Sequence, residues 1–171
     1  MKTKLILLAG IALFSSKMMG QTAFDKFENN DQITTVVVSQ KMFQMLSKID
    51  SKDPEAKEFM DIANKLTSLK IFTTENKAVA QSMKTEVQNY LSKSALSELM
   101  RVKDKASNVK FYAKQGKTED IVSELLMFVE ETSDSKQTVI LTLTGDIDLN
   151  KISVLTKNMN LPNEIKAVGK K

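Results

Sequence analysis

Between residues 108 and 144 three apolar segments follow one another, separated only by short polar turns. In the first, Val109, Phe111 and Ala113 alternate with Asn108, Lys110 and Tyr112. In the last, Val139, Leu141 and Leu143 point one way while Thr138, Ile140, Thr142 and Thr144 point the other. A period of two marks a strand, because successive side chains of an extended chain project to opposite faces. The segment between them, residues 120–130, is apolar on both faces around Leu125, Leu126, Met127 and Phe128, as befits a strand central in a sheet. Gln115-Gly116-Lys117 and a polar stretch at 133–136 supply the turns. Connections this short join antiparallel neighbours only, so this region predicts an antiparallel meander.

The remaining segments must pack on that sheet. Residues 33–38 (Ile-Thr-Thr-Val-Val-Val) are β-branched throughout and predict a strand, and Ser39 then offers a cap to a helix over 40–48. Asp53-Pro54 predicts a helix start, since proline at the first position sacrifices no needed N–H, and Phe59, Ile62, Ala63 and Leu66 form its apolar stripe. Residues 69–73 read as a second strand and 75–91 as a further helix, with Val79, Met83, Val87, Tyr90 and Leu91 on one side. Residues 95–102 fit either a short helix or a strand. Gly145 reads as a strand breaker, and Asp148 as the cap of a closing helix carrying Leu149, Ile152, Leu155 and Met159. The first two strands are separated by about thirty residues containing helices, enough for a parallel crossover. The expectation is therefore an α+β fold: a two-layer sandwich whose mixed sheet, with its C-terminal antiparallel meander, packs against several helices.

The first twenty residues stand apart. Lys2 and Lys4 precede an apolar run of ten residues from Leu5 to Phe14. That run matches the h-region of an export signal and falls short of the roughly 20 residues a spanning helix needs. The expected organisation is a signal peptide at 1–20, a single α+β domain at 21–165 and a basic tail at 166–171. The chain would then be exported, periplasmic or extracellular, with no integral span after cleavage. It has no cysteine, which excludes a lipid anchor on that residue. The formal charge of +4 is carried outside the fold, because Lys2, Lys4 and Lys17 belong to the leader and Lys166, Lys170 and Lys171 to the tail. The body keeps 19 basic and 21 acidic residues, a single arginine (Arg101) and no concentrated basic face, so nucleic acid is not an expected partner.

Composition narrows the chemistry further. With no His and no Cys there is no Ser-His-Asp triad, no thiolate nucleophile and no imidazole or thiolate metal site. Carboxylates remain. Asp146, Asp148 and Asn150 space their oxygens as a calcium loop begins, but Lys151 and Lys157 stand where such a loop needs glycine and a bidentate glutamate. A turn and a helix cap account for them better, so they are weak metal candidates only, and no cofactor is expected. Glu130, Glu131, Glu119 and Asp120 could in principle supply a hydrolytic pair, yet with no Trp and only Tyr90 and Tyr112 a sugar-stacking cleft is poorly provided for. Most of the methionines, at helical spacing beside Leu and Ile, read as core filler.

Val36-Val37-Val38-Ser39 with Met42-Phe43, Leu96-Ser97-Glu98-Leu99-Met100-Arg101-Val102, Leu125-Leu126, and Leu143-Thr144-Gly145-Asp146-Ile147-Asp148-Leu149, together with the leader, resemble the exported Bacteroidota proteins grouped as domain of unknown function 4252. Many members of that family look like lipoproteins, and this chain departs from them by lacking the cysteine. The resemblance implies no reaction, cofactor or catalytic residue, and only weakly an envelope-response setting. The functional expectation is a non-enzymatic envelope protein that binds a protein partner or small ligand. The alternatives are a carboxylate-based hydrolase and a small-ligand carrier.

Overall fold

The computed structural model describes residues 23–48, 52–103, 108–130, 132 and 136–151. A 3₁₀ turn at Asp25–Phe27 precedes strand β1 (Thr34–Ser39). Two helices follow, α1 (Gln40–Leu46) and α2 (Pro54–Ala63), then strand β2 (Leu66–Thr74) and helix α3 (Lys77–Lys93). The chain closes with β3 (Leu96–Lys103), β4 (Asn108–Gln115), β5 (Ile121–Val129) and β6 (Thr138–Asp148), ending in a second 3₁₀ turn at Leu149–Lys151. The six strands form one sheet in the order β1-β2-β6-β5-β4-β3.

Local chemistry sets the helix starts. Asp53 accepts a hydrogen bond from the Glu55 N–H (3.0 Å), with Pro54 in the first position of α2. Asn76 caps α3 by accepting from the N–H groups of Ala78 and Val79. Leaving β2 near one edge, the chain runs through α3 to β3 at the far edge, and the meander then returns strand by strand until β6 closes against β2. The neighbours β2 and β6 are thus far apart in sequence.

Strand parity divides the apolar residues between two cores. One face packs Leu69, Leu125, Met127, Leu141 and Leu143 against Phe43 of α1 and Ile62 and Ala63 of α2. The other packs Phe72, Leu126, Phe128 and Ile140 against Met83 and Val87 of α3 and against Phe24 and Phe27 of the N-terminal segment. That segment is held down three ways. Lys70 binds Asp25 and Glu28, Lys26 pairs with Glu86 of α3, and Phe24 and Phe27 meet Tyr90 and Phe72 edge to face. Burial disfavours the charge on Lys70, but its two carboxylate partners outweigh this and hold its pKa above the ordinary value.

The α+β class and the helix-clad sheet with its C-terminal meander agree with the sequence reading. Several details differ. The sheet is antiparallel throughout rather than mixed, because β2 returns beside β1 in the opposite direction after its two helices. Helices clad both faces rather than one. Residues 95–102 belong to a strand. Gly145 does not break β6, which continues to Asp148. The threonines of β6 follow the expected parity, yet Thr138 and Thr142 are buried rather than solvated, since their face is also covered. Of the closing-helix positions only Leu149 falls within the described residues, as do none of the leader and tail. Among the described residues no helix is long and apolar enough to cross a membrane.

Candidate functional site

A recess of about 350 Å³ opens between the first two turns of α3 and the end of the β5–β6 hairpin. Lys77, Ala80, Gln81 and Lys84 line it from the helix, and Phe128, Glu130, Thr132 and Thr138 from the sheet side. The face parity of β5 places Phe128 and Glu130 two residues apart on the α3 side, so an apolar floor lies beside a carboxylate.

Glu130 is engaged by three side chains among the described residues. Its side chain is only 11% exposed and receives Lys84 from α3 at 2.8 Å and Lys110 from β4 at 2.8 Å. The Asn108 amide also donates to it, while the Asn108 Oδ1 is buried and accepts nothing from the described residues. Burial pushes the Glu130 carboxyl up, but the hydrogen bonds and charges of Lys110 and Lys84 outweigh this and hold it below its ordinary value. A carboxylate whose pKa is depressed on folding adds stability above its unfolded pKa of about 4.3, and that contribution fades as pH falls through the folded value. Glu130→Gln is therefore expected to cost about 1 kcal/mol at neutral pH, discounted because both lysines are partly solvated. The cost should shrink as pH falls through the folded value, as read from denaturation curves across the acid range; a cost that stays the same would show that packing, not charge, is what the variant loses.

The other acids lie elsewhere. Asp146 is exposed enough to pair with Lys117 (2.8 Å), and its backbone N–H donates to the Lys65 carbonyl. Asp148 Oδ1 accepts from the Asn150 N–H, the expected capping role, now at a 3₁₀ turn. Glu119 and Asp120 stand exposed in the β4–β5 hairpin. Since Val139 pairs with Val129 and Ile147 with Val122, Glu130 and Asp146 sit at opposite ends of the sheet, roughly 25 Å apart by strand rise. The structure brings no two of Glu130, Asp146 and Asp148 into a hydrolytic pair across a cleft. Among the described residues no cluster of three or more metal-ligating acids occurs.

Sequence reasoning had singled out Glu130 but not Lys77, Gln81, Lys84, Asn108 or Lys110. These come from two elements, α3 and β4, with Lys84 46 residues before Glu130, so no spacing rule assembles them. Tyr90, expected on the apolar side of α3, directs its hydroxyl to both oxygens of Glu124 (2.7 and 2.9 Å). Burial and that carboxylate together push its pKa well above the ordinary value.

Helices on both faces of one antiparallel sheet, with a lysine-rimmed recess under α3, define the class of the domain as α+β. The family described as Domain of unknown function (DUF4252) matches residues 27–155, and the chain belongs to that family. No curated protein and no solved structure matches it.

Proposed function

We propose that the protein is an exported, non-enzymatic binding module, and that the recess beneath α3 takes a small ligand bearing a carboxylate or phosphate group. The observation that carries this is the lining itself: two lysines, Lys77 and Lys84, against the single carboxylate of Glu130, in a recess of ligand size. Lys84 is already committed to Glu130, whereas Lys77 enters no ion pair among the described residues and is the cation available to a ligand. Gln81 and Thr138 add hydrogen-bonding groups, and Phe128 and Ala80 an apolar wall. The separation of Glu130 from Asp146 and Asp148, at opposite ends of the sheet, supports binding over hydrolysis by a pair that includes Glu130. An envelope-response setting belongs to the same proposal and rests on the leader and the family resemblance.

The test is a thermal-shift screen of the purified chain against small carboxylates and phosphates. A ligand present at 100 times its Kd should stabilise by about 2.7 kcal/mol. Lys77→Gln should abolish the shift with little change in the unliganded melting temperature. A screen with no shift, a shift indifferent to Lys77, or turnover of a screened ester that depends on Glu130 would each overturn the reading.

A further inference from the structure

The two edges of the sheet are unlike. At the far edge β3 carries Glu98, Arg101 and Lys103 and its ladder with β4 is interrupted by a bulge between Glu98 and Met100. Charge and irregularity of this kind are how proteins keep an edge from pairing with another chain. At the near edge β1 is Thr-Thr-Val-Val-Val-Ser, with no charge, no proline and an unbroken ladder to β2 over all six residues. Among the described residues its outer side has no neighbouring strand. Val36 and Val37 point to opposite faces and are 45% and 50% exposed, so neither face is covered there. Among the described residues five large apolar side chains are exposed, and four of them, Val36, Val37, Met42 and Met45, fall within ten residues of β1 and α1. The two methionines, of a type expected to fill core, are out in solvent.

We propose that β1 pairs with β1 of a second copy of this chain, antiparallel and about a two-fold axis, extending the sheet to twelve strands. Charge selects this occupant. The uncharged strand is bracketed by Asp31 and Lys41, and neither enters an ion pair among the described residues. Antiparallel self-pairing brings the Asp31 end of each copy to the Lys41 end of the other, whereas parallel pairing would bring like charges to the same end of the seam. The arrangement is isologous, so it closes at a dimer and leaves only the charged, bulged β3 edges outside. Register follows from ladder geometry. Residues opposite each other in an antiparallel pair both point their backbone groups toward the partner or both away, so positions of equal parity must face one another. Centring on Val36 sets Thr34 opposite Val38 and Thr35 opposite Val37. Helix α1, which carries the exposed Met42 and Met45, packs on the Val36 face of the sheet.

The absence of native cysteine makes the test direct. Sedimentation of the purified chain should give the mass of a dimer, and Val36→Lys, which places two like charges on the axis, should give a folded monomer. Leu99→Lys on the opposite edge should leave the dimer intact. Under mild oxidation Val36→Cys should form a covalent dimer, because its Cα atoms meet across the axis, while Val37→Cys should not, its Cα atoms lying beyond the reach of a disulfide of about 7 Å. A wild-type monomer at every concentration, a dimer that persists in Val36→Lys, or cross-linking at residue 37 and not at residue 36 would each overturn the proposal. None of these outcomes touches the recess beneath α3, whose ligand screen stands separately.

Discussion

Gly145→Ala is expected to lower the unfolding free energy by about 4 kcal/mol, and Gly145→Val by more, from strain and clash together. The position has a φ of +141°, where a side chain is strained whatever the space around it. There is also no space. A Cβ would sit 2.4 Å from the Lys65 carbonyl oxygen and 2.7 Å from the Leu66 Cα, and both obstacles are backbone. Neither can rotate aside. The Lys65 carbonyl is further fixed by the hydrogen bond it accepts from the Asp146 N–H at 3.1 Å. The ladders here are irregular on both sides of β6. Register with β2 shifts between Leu66 and Ser68, and register with β5 shifts between Val122 and Glu124. Gly145 therefore sits where two bulges adjoin, and distorting it disturbs both neighbours of a central strand. A loss of this size corresponds to a fall in melting temperature of about 10 °C for a domain of this length. Leu99→Ala, at an exposed edge position, should stay within about 0.5 kcal/mol and serves as the control. A Gly145→Ala variant melting with the wild type would mean that the chain at Lys65 relaxes freely, and the argument from backbone crowding would fail.

The same glycine shows what could be read from the residues and what could not. A glycine between Thr144 and Asp146 is locally a breaker, and only the close approach of Lys65, eighty residues earlier, reveals that it lets β6 continue. Features with a local cause were legible: the Val36-Val37-Val38 strand, the Asp53-Pro54 helix start, the alternation along β4 and β6. Features decided by distant partners were not. Nothing in the helical connection between β1 and β2 encodes the direction in which β2 returns, so a parallel crossover and an antiparallel return look alike in sequence. Thr138 and Thr142 look solvated until α3 is laid across them. Phe24 and Phe27 belong to no period, and their role emerges only with the sheet beneath them. The candidate site has the same character. Glu130 was visible as an acid, but its lysine partners come from α3 and β4, and the recess is cationic only because α3 lays Lys77 and Lys84 beside it.

Phe72→Ala carries the second large expected loss, about 4 kcal/mol, from the transfer of the ring to water and the cavity left behind. Phe72 is fully buried at the middle of β2, with Thr35 and Ile140 directly across on the two flanking strands. It packs in the core that α3 covers with Met83 and Val87, and Phe27 meets its ring edge to face at 6.1 Å. The cavity cannot close by a simple inward shift, because around Phe72 the ladders of β2 to β1 and β6 are unbroken while α3 spans from its own cap to β3. The loss should also spread to the N-terminal segment, whose 3₁₀ turn keeps its ion pairs to Lys70 and Glu86 but loses the ring beneath it. Hydrogen exchange at residues 24–28 should therefore accelerate more than exchange in β4 and β5. The pair can be isolated with Phe27→Ala and the double variant. A direct aromatic contact predicts a coupling of about 1 kcal/mol, so the double variant should lose less than the two single losses combined. Strict additivity would instead mean that the two rings are buried independently and that the segment is held by its charges alone, in which case 1 M salt should release it from the Phe72→Ala protein and the wild type alike.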